Sequence, residues 1–287
     1  MTQLQRRILQ AALRKAKPWL RRRGVLAVGI GQCRRGGEWV DGKACIVVKV
    51  EWKLSPEHLQ QFGHALLPRF IEITLDGRKR RVPVDVQDTQ GCKAGRCQGC
   101  AGGAVLIQDK LRGGAGAVVA SAGGPRLLVS GHVAKRAGVV IRVAAFQGKT
   151  EAPIMNARLD HCLVVPQSAP AADWATLVDG TSLSGVAALD DLTLGQTLYF
   201  HRAETGERVP VVLRHLDISA PFEYPNGIRR LQHLLGTDGA TVDGDSGTLL
   251  YDASFAAVAT LVGCLHDESY FIPCESAFRL LGLGLIT

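Results

Sequence analysis

From residue 104 onward, short apolar runs alternate with Gly-rich turns, and this pattern constrains the fold more than any other feature of the 287-residue chain. Many short strands with frequent turns are typical of a β-sandwich or a β-barrel. A Pro/Ala/Ser-rich linker at residues 166–180 divides the runs into two sets of similar size. We therefore expect two β units. The runs lie at residues 104–108, 117–122, 126–130, 139–145, 163–165, 197–200, 209–213, 231–235, 248–251, 256–265 and 270–273.

Residues 1–88 combine a helical apolar periodicity with strand-like runs, from which we predict a small α+β domain. Apolar residues recur every three to four positions over residues 3–21, which predicts an amphipathic helix with a basic face. The Asp76-Gly77 pair is a strong hairpin signal. No catalytic constellation lies here, so we expect an accessory or partner-binding role. Further strand-like runs lie at residues 25–32, 44–52, 70–75 and 81–86, a short helical candidate at 56–62, and a Gly/Cys-rich connector at 89–103.

The positive charge is concentrated near the N-terminus. The formal net charge is +8, and residues 6–23 alone contain eight Lys and Arg residues and no acid. Because the remainder is close to neutral, nucleic-acid binding is not expected of the whole protein and is at most a local property of this helix. The basic face is either the solvated side of a docking helix or a site for a membrane surface or an anionic partner.

Composition excludes several classes of protein. Hydrophobic residues make up 46% and charged residues 21%, which favours a compact domain over a disordered chain. No apolar run is long enough to span a bilayer, and no apolar segment of a secretory signal follows the basic N-terminus. Eight cysteines are too sparse for a disulfide scaffold, and Cys45, Cys162 and Cys264 lie inside apolar runs, as free buried thiols do. We therefore expect a reducing, cytoplasmic location.

The segment Gly244-Asp245-Ser246-Gly247 precedes an alternating apolar run. Glycines on both sides of a serine permit a turn that directs several N–H groups to one point beside the hydroxyl. A serine nucleophile with an oxyanion hole requires such a turn. A polar β-turn has the same residue types, so this segment alone does not distinguish the two interpretations.

His132 and Asp160 are candidate partners of Ser246. His132 follows directly on a predicted strand, where an imidazole can be held rigidly beside a cleft. Asp160 leads into a buried apolar run, where a carboxylate is costly unless a group such as an imidazole N–H pairs with it. Taken singly, each is equally well explained as a structural histidine or aspartate at a strand end.

The order His, Asp, Ser resembles the trypsin/chymotrypsin-like serine peptidases. The resemblance rests on residues 129–133 (Val-Ser-Gly-His-Val), 159–164 (Leu-Asp-His-Cys-Leu-Val) and 244–249 (Gly-Asp-Ser-Gly-Thr-Leu), and it covers residues from about 104 to 280. It is closest to intracellular bacterial members and to the plant narrow-leaf type, which carry N-terminal runs similar to residues 28–31 and 82–85. It implies a mostly β fold of two antiparallel six-stranded barrels, at about 104–168 and 181–287.

The resemblance also implies a mechanism. His132 would take the proton of Ser246, Asp160 would fix the tautomer of His132, and the backbone N–H groups of Gly244 and Ser246 would bind the oxyanion. Two departures stand out. Val133 replaces the cysteine that follows the catalytic histidine in secreted enzymes, and no activation site yields a new N-terminus to pair with Asp245. The partner of Asp245 is therefore left open.

The substrate pocket is less well defined. In this family the base of the primary pocket lies six residues before the nucleophile, which corresponds to Ala240. An alanine there favours a small apolar substrate side chain. Against this, His266, Asp267 and Glu268 follow a strand that forms the pocket wall in the family, and either acid would favour a basic substrate.

Cys92, Cys97 and Cys100 have a C-x4-C-x2-C spacing. Three close thiols suggest zinc, and the spacing is similar to part of a ferredoxin-type cluster. A fourth ligand would have to come from afar, such as Cys33. Because no second paired motif is present, a redox-labile or regulatory loop is the preferred interpretation, and no cofactor is predicted.

The expected function is that of a cytoplasmic serine endopeptidase that cleaves selected proteins in a regulatory or defence role. A target or regulator would dock on residues 1–88. The alternative is a catalytically silent binding or adaptor protein with the same fold. A third hypothesis is a nucleic-acid sensor that uses residues 6–23.

Overall fold

A computed structural model describes residues 1–61, 66–90, 95–96, 104–107, 110–143, 146–167, 175–239, 241–242 and 244–287. The predicted connector at 89–103 lies largely outside these residues, as does the middle of the linker at 166–180. The helices are α1 (Gln3–Ala16), α2 (Pro56–Gln61), α3 (Gly131–Ala134) and α4 (Cys274–Leu281). The strands are β1 (Val25–Arg35), β2 (Glu38–Val50), β3 (Phe70–Leu75), β4 (Arg78–Asp88), β5 (Gly95–Arg96), β6 (Ala104–Ile107), β7 (Lys110–Ser121), β8 (Gly124–Ser130), β9 (Val140–Val143), β10 (Phe146–Thr150), β11 (Ile154–Met155), β12 (Asp160–Pro166), β13 (Gly185–Val186), β14 (Thr197–His201), β15 (Arg208–Tyr224), β16 (Gly227–Asp238), β17 (Leu249–Tyr251), β18 (Ala256–Leu265), β19 (Glu268–Pro273) and β20 (Gly284–Leu285).

The first six-stranded ring is antiparallel and closed. Its strand order is β10-β9-β6-β7-β8-β12, and β12 pairs back with β10. Apolar side chains alternate inward along these short strands and fill the interior. The core includes Val105, Val118, Leu127, Val129, Ile141 and Val164.

The second ring contains the strands β14-β17-β18-β19-β16-β15, and β14 pairs back with β15. Its strands include the longest of the chain, β15, which also pairs with β16 along most of its length. The predicted fold class, mostly β with antiparallel six-stranded barrels, is confirmed. The core of this half includes Leu198, Phe200, Val211, Leu213, Leu250, Val258, Leu261 and Phe271.

The N-terminal strands continue the second sheet. β1 pairs with β15, and the order then runs β1-β2-β4-β3, with β2 and β4 parallel. α1 begins at a capping box between Thr2 and Gln5 and packs its apolar face on this extension. The division at residue 88 stays a prediction, since the hydrogen-bonded sheet runs across it.

Two local predictions for this region have different outcomes. The hairpin at Asp76-Gly77 is present, and both residues have positive φ (51° and 72°), as a two-residue turn of this type requires. The helix is shorter than the predicted 3–21, because α1 ends at Ala16 and a 3-10 segment, Lys17–Arg21, follows. Pro18 explains the change, since it has no N–H to continue the helical ladder.

A buried ion cluster joins the N-terminal strands to the second barrel. Glu268, at the start of β19, is 0% exposed, and its Oε2 lies 2.6 Å from Lys49 Nζ and 2.8 Å from His215 Nε2. The Tyr270 hydroxyl donates to the same oxygen at 2.7 Å. Burial opposes ionisation of Glu268, but His215 and Lys49 outweigh it and hold the pKa of the carboxyl below its usual range. The carboxylate is therefore stabilised by a lysine that lies more than 200 residues away in the sequence.

Lys49→Met is expected to lower the free energy of unfolding by about 3 kcal/mol, because it leaves the Glu268 carboxylate buried without its nearest cation. The double variant Lys49→Met/Glu268→Gln should recover most of this loss. Urea unfolding monitored by circular dichroism measures both. The exposed Lys53→Met is the matched control, and a Lys49→Met variant as stable as this control would contradict the role of the pair.

Candidate active site

His132 lies in α3, a single helical turn that follows β8. The last four residues of β8 are buried, and the helical turn that follows is buried as well, at the end of this strand of the first barrel. Lys135, with φ of 62°, ends the turn. Gly131 permits its close approach to β12, because a Cβ there would lie 2.9 Å from Asp160 Oδ1 and 3.1 Å from the His161 carbonyl oxygen. The backbone thus brings the imidazole directly against Asp160.

Asp160 begins β12 and is 2% exposed. Its Oδ1 accepts the backbone N–H of His132 at 2.9 Å, and its Oδ2 lies 2.5 Å from His132 Nδ1. The Tyr224 hydroxyl donates to Oδ2 at 3.0 Å. Burial opposes ionisation, but His132 outweighs it and lowers the pKa of the Asp160 carboxyl. The carboxylate therefore holds the proton of His132 on Nδ1, which directs Nε2 away from it.

His132 Nε2 is buried and has no hydrogen-bond partner among the described residues. An imidazole with its Nδ1–H on a carboxylate presents Nε2 as an acceptor for a proton. A buried acceptor of this kind is the feature that a general base requires.

His161, the residue after Asp160, is buried and its ring contacts a neighbouring strand. Its Nε2 lies 2.8 Å from Thr260 Oγ1, and burial lowers its pKa to about 4, although Asp160 acts in the opposite direction. His161 is therefore neutral near pH 7. Of the two histidines beside Asp160, only His132 forms an ion-pair contact with its carboxylate in the described structure.

Ser246 lies in a turn that is fixed to both barrels. Its carbonyl oxygen accepts the N–H of Gly114, in β7 of the first barrel, at 2.6 Å. The next residue, Gly247, donates its N–H to the Leu261 carbonyl, in β18 of the second barrel, at 2.8 Å. Leu261 O also accepts the Ser130 hydroxyl at 3.4 Å, two residues before His132. One carbonyl thus contacts both the serine turn and the segment that carries the histidine.

The Ser246 hydroxyl itself is buried and donates to the Val262 carbonyl at 3.2 Å. Gly244 and Gly247 on either side have φ of 128° and 97°, a region that favours glycine. The sequence segment therefore forms the glycine-dependent turn that its composition predicts.

Asp245 is held by a guanidinium. Arg202 Nη1 donates to Asp245 Oδ2 at 3.0 Å, and the N–H of Val242 donates to the same oxygen at 2.9 Å. Burial raises the pKa of Asp245, while the Val242 N–H and Arg202 favour the charged form. The partner that the sequence left open is therefore Arg202, from the end of β14.

Solved structures with a similar fold are bacterial trypsin/chymotrypsin-like serine proteases. The Nocardiopsis protease NAPase is 16% identical, with 67% of this chain and 100% of that chain covered and a TM-score of 0.51. Thermobifida fusca protease A is also 16% identical, with 67% and 99% covered and a TM-score of 0.52. No protein-family model and no curated protein matches the sequence. The fold is that of the chymotrypsin-like serine proteases.

Within this chymotrypsin-like fold, the predicted pocket residues have different environments. Ala240 lies outside the described residues. Glu268 is committed to the buried ion cluster, and Asp267 pairs with Arg34 at 2.9 Å. His266 Nε2 lies 3.8 Å from Asp267 Oδ1. A pocket formed by these four residues stays a prediction.

A second set of small polar side chains lies near these residues. Thr241, between β16 and β17, has its Oγ1 3.0 Å from Cys264 Sγ and in hydrogen-bond contact with Ser269 Oγ. Cys264 and Ser269 are cross-strand partners in β18 and β19. Of these three residues, Cys264 belongs to the strand that was expected to form the pocket wall.

The metal hypothesis falls outside the described structure, because Cys92, Cys97 and Cys100 do. Within the described part of the chain, Cys33, Cys45, Cys162 and Cys274 are free thiols, and no group of His, Cys, Asp and Glu could hold a metal ion. No described helix combines the length and apolar character that a membrane crossing requires.

Two residues of the site were missed by sequence analysis. Tyr224 contacts Asp160 from a strand 64 residues away, and Arg202, the residue that follows β14, contacts Asp245 from 43 residues away. Neither lies in a motif, since a single tyrosine or arginine at a strand end has many structural roles. Only the three-dimensional pairing identifies them.

Gly247→Ala is expected to destabilise the protein by at least about 3 kcal/mol, because the added Cβ would overlap the Gly114 carbonyl oxygen as well as strain the backbone. Gly195→Ala is the matched control. Gly195 also has positive φ (87°) but no atom within 4 Å of the added Cβ, so only the backbone cost of about 1–2 kcal/mol remains. Equal losses in urea unfolding would show that the turn is not clamped by β7.

Proposed function

We propose that the protein is a serine endopeptidase with Ser246 as nucleophile, His132 as general base and Asp160 as the acid that orients it. The observation that carries the proposal is the His132–Asp160 pair. The 2.5 Å contact at Nδ1 leaves a buried Nε2 on the ring that has no hydrogen-bond partner in the part of the chain that the structure describes. The serine turn is fixed beside the same segment through the Leu261 carbonyl.

The reaction follows from this arrangement. The Ser246 hydroxyl leaves the Val262 carbonyl and transfers its proton to His132 Nε2 as Oγ attacks the peptide carbonyl carbon. Asp160 stabilises the imidazolium that forms. The N–H groups of Gly244 and Ser246 donate to the oxyanion of the tetrahedral intermediate.

The imidazolium then returns its proton to the leaving amine, and an acyl-enzyme on Ser246 remains. Water repeats the sequence: His132 takes its proton as it attacks the ester, and the serine hydroxyl is regenerated with release of the carboxylic acid. No cofactor takes part in these steps.

Arg202 supports the oxyanion turn in this proposal. Asp245 lies between the two residues whose N–H groups bind the oxyanion, so its side chain determines how the turn is oriented. The contacts with Arg202 and Val242 hold that side chain in place without a cleaved N-terminus. The site is then formed in the uncleaved chain.

Residues 1–88 are proposed to recruit an acidic target or regulator. They contain eighteen Lys and Arg residues against eight Asp and Glu residues, while the rest of the chain contains sixteen against eighteen. A surface of this charge attracts acidic proteins and accelerates their association. We further propose a cytoplasmic, regulatory or defence-related peptidase of the intracellular bacterial type, with a preference for small apolar side chains at the cleaved bond.

A fluorophosphonate probe is expected to label the wild-type protein at Ser246, because the probe reacts with serines that an adjacent base activates. Ser246→Ala should abolish labelling, and His132→Ala should slow it by about 10³-fold or more. Mass spectrometry of the labelled peptide locates the adduct. Ser254→Ala, at an exposed serine, is the control that should label normally. A wild-type protein that is not labelled, with or without an acidic polypeptide present, would contradict the proposal and favour a silent binding protein.

Arg202→Met is expected to lower kcat by about 10²-fold with a smaller change in KM, because it loosens the turn that binds the oxyanion. Arg202→Lys should recover part of the activity by keeping a cation beside Asp245. Steady-state hydrolysis of an activated ester substrate measures both constants. Arg208→Met, which removes an exposed guanidinium over the Tyr199 ring, is the control. An Arg202→Met enzyme with the kcat of this control would overturn the assigned role.

A further inference from the structure

Tyr224 is the last residue of β15, and its side chain reaches from the second barrel into the candidate site. Its hydroxyl donates to Asp160 Oδ2 at 3.0 Å, the same oxygen that lies 2.5 Å from His132 Nδ1. Its ring also meets the His132 imidazole edge-on, with centroids 5.9 Å apart and an interplanar angle of 75°. One buried side chain therefore contacts both members of the pair.

The two carboxylate oxygens of Asp160 accept hydrogen bonds from different donors. Oδ1 accepts the backbone N–H of His132, and Oδ2 accepts both the imidazole and the Tyr224 hydroxyl. A buried carboxylate with donors on both oxygens is fixed in rotation about its Cβ–Cγ bond. The tyrosine is therefore a third donor, and the only one of the three outside His132, that fixes the plane in which Asp160 faces the imidazole.

Tyr224 is itself fixed by its surroundings. It pairs with Gly227 at the closed end of the β15–β16 hairpin. The Arg229 guanidinium lies 5.6 Å from the centre of its ring and donates to the Met155 carbonyl. Met155 in turn pairs with Asp160 between β11 and β12. Through Arg229 and Met155, the end of the β15–β16 hairpin is thus also connected to Asp160, the residue that the Tyr224 hydroxyl contacts.

We propose that Tyr224 is a positioning residue that orients Asp160 and tunes the basicity of His132 through it. The inference rests on the proposed function, because it assigns His132 as the base. A hydroxyl that donates to the carboxylate stabilises part of its negative charge, so the electrostatic attraction between Asp160 and the imidazolium is weaker. Removing the hydroxyl should make the imidazole more basic and less precisely oriented.

The other charged and titratable groups around the pair are few in the described structure. His161 adjoins Asp160 on β12 and is neutral near pH 7, because its buried ring has a pKa of about 4. Arg229, from β16, lies over the tyrosine ring, 5.6 Å from its centre, and donates to the Met155 carbonyl. Neither group is removed by a change of Tyr224 to Phe, so the effect of the hydroxyl can be isolated.

The experiment compares Tyr224→Phe with wild type, both in a Ser246→Ala background that prevents autolysis. The His132 Cε1–H signal is followed by NMR as a function of pH and is assigned by its loss in His132→Gln. The titration midpoint is expected to rise by about half a pH unit in Tyr224→Phe. Tyr199→Phe, which removes a hydroxyl outside the site, should leave it unchanged. An unchanged midpoint in Tyr224→Phe would overturn the proposal.

A second measurement uses the chain with Ser246 intact. The acylation rate constant for a fluorophosphonate probe should fall about three- to tenfold in Tyr224→Phe at neutral pH, and its acidic limb should move to higher pH. The two measurements distinguish a failure of the proposed function from a failure of the role assigned to Tyr224. If wild type is not labelled, the proposed function fails while the titration still tests Tyr224. If wild type is labelled and Tyr224→Phe keeps the rate and pH limb of wild type, the positioning role fails alone.

Discussion

The buried carboxylate of Asp160 is the constraint on which the site depends. An ionised carboxyl that is 2% exposed is stable only when donors surround it, and these donors come from α3 and from β15. The backbone N–H of His132 can reach it because position 131 is a glycine. The long strand β15 must extend to Tyr224 to supply the third donor. The Asp160 carboxylate is thereby one of several contacts between the two barrels, beside the Gly114–Ser246 and Ser130–Leu261 hydrogen bonds.

The same solution recurs at two other buried acids. Asp245 is paired with Arg202, and Glu268 with Lys49 and His215. In each case a carboxylate near a turn or strand start pairs with a cationic side chain that is distant in the sequence. Such pairs are a poor source of net stability, because desolvation offsets much of the attraction. Breaking one is nonetheless costly, so each pair specifies which strands must be neighbours.

The features of this protein that could be predicted are those with a local pattern in the sequence. Short apolar runs predicted a β-sandwich or β-barrel, and the resemblance to chymotrypsin-like peptidases implied the two six-stranded barrels. Asp76-Gly77 predicted its hairpin because positive φ is needed at both positions. His132, Asp160 and Ser246 were singled out by their order and surroundings, and Asp160 does pair with His132. The partners Tyr224, Arg202 and Lys49 were not found, because a side-chain pair between distant strands leaves no periodicity or motif. The early end of α1 was missed although Pro18 marks it, since the apolar periodicity continues past it.

The continuity of the sheet changes how the basic N-terminal region relates to the candidate site. β1 pairs with β15, and β15 ends at Tyr224 on the Asp160 carboxylate. Lys49 of β2 holds Glu268, which is adjacent to Ser269 on the strand that contacts Thr241 and Cys264. The N-terminal strands are therefore joined through hydrogen-bonded backbone to the strand that carries Tyr224, and Lys49 connects them to the start of β19. Residues that the sequence alone assigns to a separate domain thus share one sheet with the strands of the second barrel.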